Sequence, residues 1–206
     1  MILAGLTGGV SMGKSTVAAM LERHGAAVLD TDVLARQLVE PGQPALADIV
    51  DAFGREVVDA SGRLRRAELA RIVFSDRGAR ARLEGILHPR IRLRWQVEVQ
   101  QWMSRGVRIG VVVVPLLFEI GWAADFNVAL CVACSAGSQR ARMAARGWNA
   151  AECEQRIQAQ WPIARKMDLA DYVIWAEGSE DITEAQVSMV HARLLQRNEL
   201  GEQSVR

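Results

Sequence analysis

Residues 8–15 read GGVSMGKS, directly after the apolar run MILAGLT. The eight residues satisfy G-x-x-x-x-G-K-[ST] in full, with a strand pattern before them and a helix pattern after. Such a loop constrains the fold, because it works only where a buried strand hands over to a helix. Its glycines admit backbone conformations closed to other residues, so successive N–H groups can converge on phosphate oxygens. The start of the following helix adds partial positive charge. In that setting Lys14 is expected to reach the β- and γ-phosphates and the Ser15 hydroxyl to ligate Mg²⁺. The stretch therefore predicts a nucleoside triphosphate site.

The rest of the chain supplies a matching framework. Five apolar segments read as strands: residues 2–6, 27–29, 109–114, 128–133 and 172–175. Near-continuous apolar strands alternating with helices imply a parallel sheet covered on both faces. The helix after the loop is marked by Val17, Met20, Leu21 and His24, with Gly25 at its expected end. His24 on that face reads as packing rather than catalysis. Residues 33–107 are too long for a plain crossover and read as a helical insertion. A second insertion, residues 135–168, is rich in arginine: Arg140, Arg142, Arg146, Arg156 and Arg165, beside Lys166. The core then comprises residues 1–32, 108–134 and 169–206.

Composition excludes several classes. With 206 residues and a net charge of +1, the chain is not built to coat nucleic acid. No apolar run approaches the roughly 18–20 residues that cross a bilayer, and the start lacks the basic flank of a signal peptide. A cytoplasmic protein with no obligate protein partner is the simplest expectation. Cys131 and Cys134 form a C-x-x-C inside an apolar strand with no second ligand pair nearby, so they read as buried small residues rather than a metal site.

Further acidic and basic groups bear on where the phosphate goes. No Asn-Lys pair for reading guanine is present, and the third strand runs into PLLFE, where the first carboxylate, Glu119, comes late. The second strand instead ends in Asp30-Thr31-Asp32. Ligands of open parallel sheets bind beyond the carboxyl ends of strands. A carboxylate at Asp32 there suits a kinase, accepting the proton of an attacking hydroxyl and helping to hold the metal's water shell. The alternative is helix capping, which is the preferred reading for Asp30. Arg142 and Arg146 share a helix face at i, i+4, so part of the basic segment reads as a lid over the transferring phosphate. A nucleoside or nucleotide kinase of the same architecture and a non-catalytic ATP-dependent switch are the competing readings. The switch would need neither an acceptor base nor a second substrate cavity.

Over most of its length the chain resembles the dephospho-CoA kinase family. The likeness rests on GLTGGVSMGKST, VLDTDVLARQLVEPGQPAL, LEGILHPRI and VPLLFE. It extends to Gln139, Arg142 and Arg146, to Arg156-Ile157-x-x-Gln160, and to Ala170-Asp171 before the last strand. The resemblance implies a P-loop kinase fold, α/β, with a five-stranded parallel sheet, a helical substrate-binding insertion and an arginine-rich lid. It implies ATP and dephospho-CoA as substrates, Mg²⁺ as the metal, and transfer to the ribose 3′-hydroxyl. Asp32 would be the base, with Lys14 and Arg142 stabilising the transferred phosphoryl. Gly8, Gly9, Val10, Ser11, Met12, Gly13, Lys14, Ser15 and Thr16 would bind ATP, joined by Arg142 and, as a supporting cation, Arg146. Thr7, Asp32, His88 and Glu119 would line the acceptor site. His88, before Pro89, has a turn hydrogen bond as its other reading, and Glu119 either touches the acceptor or holds a neighbouring arginine. Two departures stand out. Trp175 and Ala176 occupy the places of an Asp-Asn pair that the family uses near adenine. Trp161 replaces a smaller residue and either packs a lid hinge or stacks on a base.

Overall fold

A computed structural model describes the backbone of residues 1–203 and all their side chains except those of 74, 75 and 201–203. The chain divides into two compact units, residues 1–29 with 101–206, and residues 30–100.

The first unit contains the sheet, in the order β2-β3-β1-β4-β5. Strand β1 (Ile2–Gly8) pairs in parallel with β3 (Ile109–Val113) and with β4 (Val128–Ala133), and β4 pairs in parallel with β5 (Tyr172–Trp175). Every residue of β1, β3 and β4 is buried, whereas β2 (Ala27–Asp30) and β5 are partly exposed. That contrast explains the uninterrupted apolar runs of the three central strands, whose two faces both need cover.

On one face, Ile2, Ala4, Leu6, Val111, Leu130 and Val132 meet α1 (Lys14–Arg23) and α9 (Glu180–Gln203) through Val17, Met20, Leu21, Val187 and Leu194. The other face carries smaller groups. A side chain at Gly5 would come within 3.0 Å of Leu117 and 3.1 Å of Phe126, and one at Gly110 within 2.8 Å of the Trp102 ring. Met12, Ala133 and Cys134 pack there with Ile163 and Met167 of α8 (Ile163–Leu169). Two further helices, α6 (Ala136–Ala145) and α7 (Ala150–Gln158), precede α8. All three cysteines are free and buried. Burial pushes the Cys131 thiol up to about 11, which fits an inert small side chain. Among the described residues no group of three or more His, Cys, Asp or Glu could hold a metal, and no helix is long and apolar enough to cross a membrane.

The second unit is helical: α2 (Thr31–Gln37), α3 (Pro44–Phe53), α4 (Arg66–Ser75) and most of α5 (Arg77–Ser104). Val39, Ile49, Val57 and Leu69 form its core, with Phe53, Leu83, Ile86 and Leu87 packed against them. The His88-Pro89 step corrects an expectation. Residues preceding proline are biased away from helix, which favoured a turn, yet Pro89 lies inside the continuous α5. Proline forfeits one ladder bond there. Arg90 donates from Nη1 to the Ile86 carbonyl at 2.7 Å, adding a side-chain bond to the same stretch of helix.

The tight packing at Gly110 yields a test. In Gly110→Ala the new methyl, at 2.8 Å from a ring that is itself buried, meets a neighbour with little room to move. Overpacking of this kind costs about 1–3 kcal/mol, so the thermal midpoint should fall by roughly 2–10 °C. An unchanged midpoint in a thermal melt would mean the Trp102 ring can swing aside.

Candidate active site

The phosphate loop joins β1 to α1. Its path depends on residues that accept positive φ: Gly8 at 148°, Gly13 at 102° and Ser11 at 57°. Gly8 is the tightest, because a Cβ there would stand 2.2 Å from the Val132 carbonyl oxygen of β4. Ser11 is the single non-glycine with positive φ among the described residues. Strain of that kind gathers at ligand clamps. The loop's carbonyls are met from within, since Lys14 donates from Nζ to the oxygens of Gly8 at 2.9 Å and Gly9 at 2.8 Å. Helix α1 begins at Gly13 with no side-chain cap. The first N–H groups of any helix lack an intrahelical acceptor, and a helix start without a side-chain cap suits an anion. Ser15 and Thr16, at the first turn of α1, are exposed.

Val10 plays another part than the phosphate donor expected of it. Its N–H donates to Gln160 Oε1 at 3.0 Å, and its carbonyl accepts from Gln139 Nε2 at 2.9 Å. The peptide is clamped on both sides, so Val10 shapes the loop and has no N–H to spare.

Arg142 of α6 lies beside the loop. One terminal nitrogen donates to the Ala176 carbonyl at 2.6 Å, and the other would stand 3.7 Å from a Cβ on Gly13. The Ala176 methyl, 3.2 Å from the same point, shows why a small residue fits after β5. Trp175 turns its ring outward, and Gln186 holds its backbone by accepting from its N–H and donating to its carbonyl. Glu177, next in sequence, accepts from the Ser135 N–H at 2.8 Å and from the hydroxyls of Ser135 and Ser138. Those bonds, the Ser138 hydroxyl foremost, hold the Glu177 carboxyl below its usual range. They also anchor the first turn of α6, whose N-cap is Ser135, and so aim Arg142.

Other residues singled out in the sequence make contacts within the fold. Arg146 lies with its guanidinium over the Trp148 ring at 5.9 Å, and Arg156 covers the same ring at 4.1 Å. Thr7, expected at the acceptor surface, is fully buried, and its hydroxyl donates to the Pro115 carbonyl at 3.1 Å. That bond ties β1 to the exit of β3 and leaves Thr7 no accessible surface. Glu119 holds a cation, but it is Lys166 rather than an arginine, at 2.6 Å. Trp161 stacks against Arg165, whose guanidinium sits 3.4 Å from its ring centre. His24 bonds Glu184 at 2.6 Å and stacks on His191, a packing arrangement away from the loop.

In the helical unit, Asp30 is the N-cap of α2 and accepts from the Asp32 N–H at 2.8 Å. Asp32 occupies the first turn with an exposed side chain, so it is not the capping residue. His88, half-buried in α5, has its pKa held below the ordinary value by burial, with Glu84 opposing and Arg80 reinforcing the shift.

Gln139, Gln160, Lys166 and Glu177 are the structure's additions to the site. Gln139 and Gln160 stood in the sequence as motif positions without a role. Glu177 and Lys166 gave no local signal, because their partners lie more than thirty residues away.

Comparison with known proteins identifies the family. Residues 2–181 match the family model described as Dephospho-CoA kinase. A dephospho-CoA kinase of Thermobifida fusca is 42% identical over 198 residues, covering 96% of this chain and 98% of its own. One from Anaeromyxobacter dehalogenans is 42% identical over 182 residues, covering 88% and 86%. A solved structure from Thermus thermophilus superposes with a TM-score of 0.82 at 35% identity, covering 94% of this chain and 97% of that one. The matched span takes in the phosphate loop, the Asp30–Asp32 turn and the arginine-bearing helix, and the sheet is that of the P-loop kinases. The chain belongs to the dephospho-CoA kinase family and is an enzyme of that type.

Proposed function

We propose that the protein phosphorylates the ribose 3′-hydroxyl of dephospho-CoA with ATP, giving coenzyme A. The observation that carries this reading is the family match over residues 2–181, a span that contains Lys14, Asp32 and Arg142 together. In the proposed mechanism the N–H groups at the start of α1 hold the phosphates. Lys14, already bonded to the loop carbonyls, places its ammonium at the β,γ-bridge. Arg142 adds charge where the equatorial oxygens of the moving phosphoryl gather it, an interaction worth most in the transition state. Asp32, relieved of capping by Asp30, accepts the proton of the attacking hydroxyl. Helices α6 to α8 act as a lid that keeps water from the triphosphate. The helical unit receives the CoA portion of the acceptor, with His88 at its contacts, whereas Glu119 is taken up by its pair with Lys166.

The Ser15 hydroxyl and the Asp32 carboxylate, both on exposed residues, are hard oxygen donors of the kind Mg²⁺ takes. When bound, the ion neutralises charge on the β- and γ-phosphates. Ser15 would ligate it directly and Asp32 through water.

Release of ADP dependent on dephospho-CoA, with the new phosphate located on the 3′-oxygen by phosphorus NMR, tests the assignment. Turnover with a nucleoside or mononucleotide and none with dephospho-CoA would overturn it. Asp32→Asn keeps the size and loses the charge. It should lower kcat by about 10²–10⁴-fold, the usual scale for lost proton transfer. A loss of stability alone, with kcat intact, would return Asp32 to a structural role. Arg142→Ala should lower kcat more than it raises the KM for ATP. Steady-state kinetics with an unchanged kcat would remove Arg142 from the transition state.

A further inference from the structure

One buried polar network of the sheet unit is not used by the mechanism above. Lys166 of α8 is completely buried. Its Nζ donates to the Pro115 carbonyl at 2.8 Å and pairs with Glu119 Oε1 at 2.6 Å. Pro115 also accepts from Thr7, at the end of β1. Glu119 Oε1 accepts in addition from the Trp161 N–H at 3.0 Å, and its Oε2 is buried with no hydrogen-bond partner among the described residues. Trp161 follows Gln160, whose Oε1 receives the Val10 N–H of the phosphate loop. The contacts form an unbroken chain: Lys166, Glu119, the Trp161 backbone, the Gln160 side chain, the loop peptide. Gln139 of α6 grips the other side of that peptide with its side-chain amide, three residues before Arg142 on the same helix.

We infer that Lys166 is a positioning residue: through Glu119 it sets the turn between α7 and α8 so that Gln160 holds the phosphate loop in register with the helix bearing Arg142. The physical reason lies in the cost of burial. A cation and a carboxylate removed from water are tolerated only when each is well bonded. Glu119, with one oxygen already orphaned, depends on Lys166 for its compensation. An apolar contact at this place would pack equally well but would fix no hydrogen-bond geometry at Trp161. A fully buried charge pair, by contrast, has few alternative arrangements, and the turn inherits that restriction.

The inference rests on the kinase reading for its kinetic consequence, though its structural consequence can be read independently. Three variants serve. Lys166→Met strands the Glu119 charge. Glu119→Gln combined with Lys166→Met removes both charges and spares the fold that penalty. Lys166→Arg keeps a buried cation. In wild type, amide hydrogen exchange at Val10 should be slow; in the double variant it should quicken at least tenfold while the thermal midpoint stays near that of wild type. The same variant should lose roughly 10–100-fold in kcat, the scale of an ångström-size misplacement, with a smaller change in the KM for ATP. ATP hydrolysed without acceptor should rise relative to phosphoryl transfer, and Lys166→Arg should recover most of each property. If Lys166→Met does not fold, the double variant alone decides. Wild-type Val10 protection, kcat and hydrolysis-to-transfer ratio in the double variant would overturn the inference and leave the pair as packing. Wild-type protein inactive on dephospho-CoA would defeat the proposed function, and Val10 exchange would still decide the role of Lys166.

Discussion

Everything at the nucleotide end of this molecule depends on how closely the last residue of β1 approaches β4. At Gly8 there is no room for a side chain, since the Val132 carbonyl would lie 2.2 Å from it. The strand can thus run buried between its two neighbours to its final residue and turn at once into the loop. Any Cβ there would push β1 from β4 or open the loop. The carbonyls exposed by the turn are taken by Lys14, so donors rather than acceptors remain for a ligand. The start of the loop is therefore fixed against the sheet at Gly8 and its first carbonyls are held by Lys14.

Around the loop the protein places long-range polar bonds where an apolar core alone would leave freedom. Gln139 and Gln160 clamp the Val10 peptide from two different segments. Glu177 braces the start of α6, and Arg142 reaches back from its last turn to Ala176. A hydrophobic contact resists separation but tolerates sliding, whereas a hydrogen bond between buried groups is lost when either partner shifts by a fraction of an ångström. Such bonds suit a segment that must present one arginine to one place. Trp175 and Ala176 fit the same scheme. Ala176 admits the close approach of Gly13, while Trp175 is held by its backbone to α9 and keeps its side chain partly exposed.

Much of this was legible in the order of residues. The glycine-lysine-serine spacing and the unbroken apolar strands announced the loop and the parallel sheet, because both patterns are local. Asp30 could be read as a cap for the same reason, its acceptor lying two residues from the donor. Reading failed where a distant neighbour overrides a local rule. His88-Pro89 looks like a turn, yet the helical run on either side of it carries α5 through. Thr7 sits in a motif beside the loop, but the β3 exit captures its hydroxyl.

The sequence by itself determined the kind of site, a triphosphate cradle between a buried strand and a helix, because that chemistry is written into eight adjacent residues and their flanks. Only the tertiary structure decided what holds the cradle: Lys166 with Glu119, the two glutamines on Val10, and Glu177 beneath α6. Their partners are brought together by chain folding over separations of 39 to 150 residues. No spacing rule reaches that far, since which distant groups meet is set by how the helices pack on the sheet.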